Sequence, residues 1–128
     1  MLVRDVMVTD VVMISPFATL RDALSMMKRN SLKSLVVDKN HAHDAYGLIT
    51  YTNIVKTVIA ESGDIDLLNV YDVCAKPVLT VGKSLAVRHV AEMMSQHRVK
   101  RILVVEDNDL AGLVTMDDLV EALLQDID

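Results

Sequence analysis

The chain repeats itself, and that repeat limits its possible folds more than any other feature. A shift of 67 lays residues 3–38 on 70–105 without a gap. Nine pairs are then identical: Val3/Val70, Asp5/Asp72, Val6/Val73, Val11/Val78, Arg21/Arg88, Met26/Met93, Met27/Met94, Lys33/Lys100 and Val37/Val104. Further on the shift becomes 65, and GLIT (47–50) falls on GLVT (112–115). The two-residue difference lies between DKNHAHDA and EDNDL, where a surface turn absorbs length changes at little cost. Residues 1–62 and 63–128 therefore read as two copies of one unit.

Each copy predicts strand, helix, strand, strand, helix. VVMI (11–14) and VLTV (78–81) are short β-branched apolar runs, expected as strands. Leu20, Ala23, Leu24 and Met27 recur at helical spacing, as do Val87, Val90, Ala91 and Met94, so each set predicts one buried helix face. LVV (35–37) and ILVV (102–105) predict buried strands, with YGLI and AGLV as their partners after a turn. The last helix of each copy is expected to start near Thr50 or Thr115. It should bury Ile54, Val55 and Val58 in one copy, and Leu119, Val120 and Leu123 in the other. A lone unit of about 60 residues buries too little surface to be secure. The expected solution is an α/β (α+β) module of two β-α-β-β-α repeats, packed with pseudo-twofold symmetry so that equivalent residues face each other across a cleft.

Composition narrows the function. Half of the 128 residues are hydrophobic, yet only three Tyr and one Phe are aromatic, so the core must be aliphatic and methionine-rich. That argues against a base-stacking nucleic-acid platform, and a net charge of −5 argues against general phosphate-backbone binding. No apolar run approaches the roughly 20 residues that span a bilayer, and the charged start MLVRDVMVTD has no signal-peptide character. The single Cys74 cannot form an internal disulfide. A cytoplasmic protein with no membrane partner is the expectation. The charge is unevenly spread: after Arg101 come eight acids (Glu106, Asp107, Asp109, Asp117, Asp118, Glu121, Asp126, Asp128) and no Lys or Arg. Arg88, Arg98, Lys100 and Arg101 form a local basic cluster that suits an anion.

A tandem repeat with a helix ending in Met-Met, then K-x-L-V-V or K-R-I-L-V-V, then G-h-h-T-x-x-D/N (h, apolar) opening the last helix, resembles a CBS-domain pair. The resemblance runs from residue 3 to about 125 and covers both copies. It implies a regulatory module, not an enzyme, that binds an adenosine-containing ligand between the repeats: AMP, ADP or ATP, with S-adenosylmethionine less favoured. It also implies a disc-shaped homodimer and an unidentified protein partner that reads the ligand state, either in another chain or in a longer one containing this module.

Carried over by residue, the resemblance gives Asp118 the ribose hydroxyls, with Asp117 beside it, and gives Thr115, Lys100 and Arg101 the phosphate. Val11, Val12, Leu32, Lys33 and Leu113 complete that site. A weaker pseudo-symmetric site would use Asn53, Thr50, Thr52, Leu48, Val78, Leu79, Val99 and Lys33. It is expected to be weaker because Asn53 is neutral and Ser34 stands where Arg101 does. The chemistry agrees with the resemblance: a carboxylate accepts two hydrogen bonds from a cis-diol, and a helix start attracts anions.

Two other readings compete. Thr115-x-x-Asp118 has the spacing of a helix cap with an acid in the first turn, and Thr19-x-x-Asp22 shares that spacing where no ligand is expected. A module that only dimerises or binds protein is therefore the alternative, with the acidic C-terminal helix as one candidate surface. Catalysis is not favoured: His41, His43, His89, His97 and Cys74 show no triad or metal spacing.

Overall fold

The computed structural model describes residues 1–125 and 127; Asp126 and Asp128 of the acidic C-terminal run lie outside the described residues. The chain forms two compact units, Val12–Val78, and Met1–Val11 together with Leu79–Asp128. Each unit holds a three-stranded sheet, as the repeat demands.

The unit Val12–Val78 is built from β1 (Met13–Ile14), α2 (Leu20–Asn30), β2 (Ser34–Val37), β3 (Gly47–Thr50), α3 (Tyr51–Val55) and α4 (Val70–Val73). Strand β1 runs parallel to β2, and β2 pairs antiparallel with β3. The parallel β1–β2 pair needs a crossover, which α2 supplies. Ile14, Leu20, Ala23, Met27, Leu35, Val37, Ile49, Ile54 and Val70 form its core. Helix α3 continues as a π-helical segment, Lys56–Ala60.

The other unit repeats this order with β4 (Thr80–Val81), α5 (Val87–His97), β5 (Arg101–Glu106), β6 (Asp109–Thr115) and α6 (Met116–Leu124), and it takes in α1 (Val3–Val6) from the chain start. Val3, Val81, Val90, Met94, Ile102, Val104, Val114 and Leu119 form its core. Asp107 and Asn108 both adopt positive φ in the tight β5–β6 turn, a conformation that Asn and Asp tolerate. The first copy spends more residues on that connection, which accounts for the change of shift.

Neither short helix, α1 nor α4, is visible as periodicity, because four residues make a single turn. Each is held by bonds to distant chain. Val3 N–H donates to the Leu85 carbonyl and Val70 N–H to the Ala18 carbonyl, the same bond in each unit. Residue 8 then bridges to Leu113, and Ala75 to Leu48.

The expected burial of the last helices needs correction. Ile54 and Leu119 are buried, but Val55, Val120 and Leu123 are exposed, the last at 68%. Ala91 on α5 is also exposed, although its equivalent Leu24 packs against its core. Each final helix touches its own sheet along a stripe narrower than its apolar face.

One surface ion pair carries a pH prediction. Lys76 Nζ lies 2.7 Å from Asp44 Oδ2, and the N–H groups of Asn40 and Ala45 also donate to that carboxylate. The Lys76 hydrogen bond leads in holding the Asp44 carboxyl well below the ordinary carboxylate range. A depressed carboxylate contributes stability above its unfolded pKa and loses it as pH falls. Asp44→Asn should therefore lower the melting temperature at pH 7, and the gap to wild type should narrow as pH drops below about 4. Thermal melts of both proteins across that range check it; a gap that stays constant with pH would refute the assignment.

Candidate ligand-binding site

Three Thr-x-x-Asp/Asn motifs open helices in this chain, and all three form complete capping boxes. At α6, Asp118 N–H donates to Thr115 Oγ1 at 3.2 Å. In return, Thr115 N–H and Oγ1–H both donate to Asp118 Oδ2, at 2.7 and 2.9 Å. At α3 the same three bonds join Thr50 and Asn53, with Asn53 Oδ1 as the double acceptor at 3.0 Å. The cap thus uses one side-chain oxygen in each case and occupies the threonine hydroxyl as both donor and acceptor.

What remains for a ligand differs between the two. Asp118 keeps Oδ1, an acceptor with no partner among the described residues. Asn53 keeps Nδ2, a donor. The distinction is larger than a charge difference, since the free atom changes hydrogen-bonding sense. Both side chains are half-buried, so a bond made there is only partly screened by solvent.

Around Thr115, the structure gathers Lys100 and Arg101. Met116 N–H donates to the Lys100 carbonyl at 2.8 Å, and Arg101 pairs in register with Thr115. The Arg101 Nε is buried without an acceptor among the described residues, a state that costs free energy unless an acceptor arrives. The Lys100 side chain is exposed. Leu113 lies two residues before Thr115 on β6, bridged to Val8. Asp117 is exposed on the first turn of α6.

Asp118 also borders a cavity of about 220 Å³ lined by Met1, Asp5, Val6, Glu121, Ala122 and Gln125. Asp5 and Glu121 make this side acidic, and neither Lys100 nor Arg101 lines it. Sequence reasoning passed over both acids. Asp5 is one of the identical repeat pairs, but that identity is accounted for by its own cap, where Leu2 N–H donates to Asp5 Oδ2.

The remaining expected residues fall by unit. Val11, Leu79 and Val99 fold with Asp118; Val12, Leu32, Lys33, Leu48, Thr50, Thr52 and Val78 fold with Asn53. Leu79 and Val99 pack against one core, Val12 and Leu32 against the other. The Lys33 carbonyl accepts from Tyr51 N–H at 3.1 Å, as Lys100 does from Met116. Each unit therefore contains one equivalent set of these residues together with its own Thr-x-x-Asp/Asn start.

Cys74 is half-buried beside Gly47, and burial raises its thiol above the usual range, which disfavours the thiolate a nucleophile needs. Among the described residues no group of three His, Cys, Asp or Glu side chains stands at metal-binding distance.

The family model for the CBS domain matches residues 3–60 and again residues 70–125. The chain belongs to the CBS domain family. The CBS domain-containing protein YhcV of Bacillus subtilis is 26% identical over 117 residues, covering 91% of this chain and 81% of that protein. A hexameric CBS-CP12 protein from bloom-forming cyanobacteria superposes with a TM-score of 0.88 at 34% identity, over 94% of this chain and 66% of that one. The CBS domain pair of protein MJ0100, solved in complex with 5′-methylthioadenosine and S-adenosyl-L-methionine, shares the fold at a TM-score of 0.83 and 22% identity, over 96% of this chain and 99% of that one. The duplicated mixed α/β architecture of this chain is thus that of a CBS pair. Among the described residues no helix is long and apolar enough to cross a membrane.

Proposed function

We propose that this CBS pair is a regulatory module that binds an adenine nucleotide (AMP, ADP or ATP) through the Thr115–Asp118 helix start. The observation that carries the reading is the free Asp118 Oδ1, an anionic acceptor suited to ribose hydroxyls and already oriented by its own cap. Arg101, with a buried and unpartnered Nε, and Lys100 supply positive charge beside the same helix start for a phosphate. The adenosine ligands of the MJ0100 pair support the ligand class. S-adenosylmethionine is the less favoured candidate here because it carries no phosphate for Lys100 and Arg101.

The role proposed for this arrangement is binding, with the carboxylate accepting from ribose hydroxyls and the cations meeting phosphate. Its output is a shift between conformations, bounded by the ligand's differential affinity for them and read by a partner protein. Isothermal titration with AMP, ADP, ATP, S-adenosylmethionine and 5′-methylthioadenosine tests the reading. Saturable binding of a phosphate-bearing member supports it; heats indistinguishable from buffer for all five would overturn it.

A homodimer belongs to the same proposal. Tyr51, Val55 and Ile59 are exposed at intervals of four on the α3 segment, and the equivalents of the last two, Val120 and Leu124, are exposed on α6. Equivalent rows in both copies suit a symmetric self-association. Val55→Asp with Val120→Asp is expected to convert a dimer to monomer in sedimentation velocity. A wild-type chain that sediments as a monomer at tens of micromolar would sink this part.

A further inference from the structure

Two of the chain's four aromatic side chains stand together on the surface of the unit Val12–Val78. Phe17 and Tyr71 pack edge to face, their ring centroids 6.1 Å apart and their planes at 69°. They remain 61% and 52% exposed, and neither ring belongs to a core cluster.

The other unit builds the same corner without aromatics. In the repeat register Ser84 takes the place of Phe17, and Arg4 that of Tyr71. The backbone is alike in both: Tyr71 N–H donates to the Pro16 carbonyl and Arg4 N–H to the Lys83 carbonyl, each at 3.0 Å. There Arg4 Nη1 lies 3.4 Å from Ser84 Oγ. The corner therefore closes without rings, and the pair Phe17–Tyr71 is surplus to the fold.

The surroundings of the rings are acidic. Residues 57–75 carry Glu61, Asp64, Asp66 and Asp72, and no Lys or Arg. This segment lies against the start of α2, where Leu20 N–H donates to the Leu68 carbonyl at 3.0 Å and Arg21 N–H to the Ile65 carbonyl at 3.1 Å. Asp66 takes up the Arg21 guanidinium in a two-pronged pair, with Nη2 2.9 Å from Oδ2. Asp72, next to Tyr71 on α4, is exposed and gives one oxygen to Asn69 N–H at 3.0 Å. The net charge left around the rings is negative.

We infer that the Phe17–Tyr71 corner is a docking site for a partner protein that presents an arginine side chain. Charge complementarity with the acids sets the sign of the occupant. The rings select among cations, because a planar guanidinium stacks on an aromatic face while a lysine ammonium remains a hydrated point charge. Tyrosine and arginine are also the side chains that most often dominate interface energetics.

Amide NMR titration of the full chain with the peptide acetyl-Ala-Arg-Leu-Arg-Ala-amide tests this. Saturable shifts are expected at residues 15–18 and 69–73. A peptide with citrulline at both arginine positions should cause none there, and one with lysine should bind more weakly. Phe17→Leu with Tyr71→Leu keeps apolar surface without rings and should weaken binding about fivefold. Phe17→Ser with Tyr71→Arg installs the pair of the other unit, so the fold should persist, seen as unchanged shifts elsewhere, while binding is lost. Absence of saturable shifts at the corner overturns the inference, as does binding indifferent to citrulline or to both double variants. A wild-type dimer that Phe17→Ser with Tyr71→Arg dissociates in sedimentation velocity would overturn it too, because a second copy would then be the occupant.

Discussion

Gly112→Val is expected to destabilise the protein by about 3 kcal/mol, because it overpacks a site closed by backbone. A Cβ at Gly112 would stand 2.7 Å from the Val8 carbonyl oxygen and 3.1 Å from Met7 Sδ. Residues 7 and 8 cannot retreat, since Val8 exchanges both backbone hydrogen bonds with Leu113 at 2.9 Å. Those bonds anchor the N-terminal segment to its unit. For a chain of this size the loss corresponds to roughly 10 °C in melting temperature. Gly82→Ala is the control: its added Cβ meets only Glu106 Oε1 at 3.4 Å, the end of a flexible side chain. Differential scanning calorimetry of both variants decides the matter. Equal, small shifts would show that the crossing at Gly112 is looser than its geometry.

Asp118→Asn is expected to lower adenine-nucleotide affinity by about 10- to 100-fold while leaving stability almost unchanged, because one hydrogen bond to a charged acceptor is lost. The amide oxygen can keep both bonds from Thr115, as Asn53 does with Thr50. Only the second atom changes, from an acceptor to a donor facing the ligand. Asp118→Ala would remove the cap as well and cost about 1 kcal/mol of stability, so it cannot separate binding from folding. The reciprocal Asn53→Asp should raise affinity at the other helix start. Titration calorimetry beside thermal melts distinguishes the outcomes. Unchanged affinity in Asp118→Asn would reduce Asp118 to a helix cap.

Much of the fold is legible in residue order because helix and strand periods are local. Leu20, Ala23 and Met27 are buried as their spacing predicts, and so are Val90 and Met94. The strands after each helix follow from unbroken β-branched runs. The last helices were harder, because apolar spacing shows which face is greasy without showing how much of it is covered. Val55, Val120 and Leu123 satisfy the pattern and still face outward. The single-turn helices α1 and α4 are not readable, since one turn has no period and their stability comes from bonds to Leu85 and Ala18 far along the chain.

For the candidate site, the amino-acid order alone determined the duplication, the family resemblance, and the pairing of Asp118 with Asn53 as unequal twins. Those are properties of identity and spacing. Tertiary structure decided which atoms are left over. Thr115 and Asp118 satisfy each other first, so the threonine hydroxyl is spent and a single carboxylate oxygen remains, a result set by hydrogen-bond geometry. It also decided that residues 1–11 fold with 79–128, and that Ile65 and Asp66 pack back over α2. The Arg21–Asp66 pair joins residues 45 apart in the chain, so packing sets it and no local preference does. Local sequence carries no record of that contact.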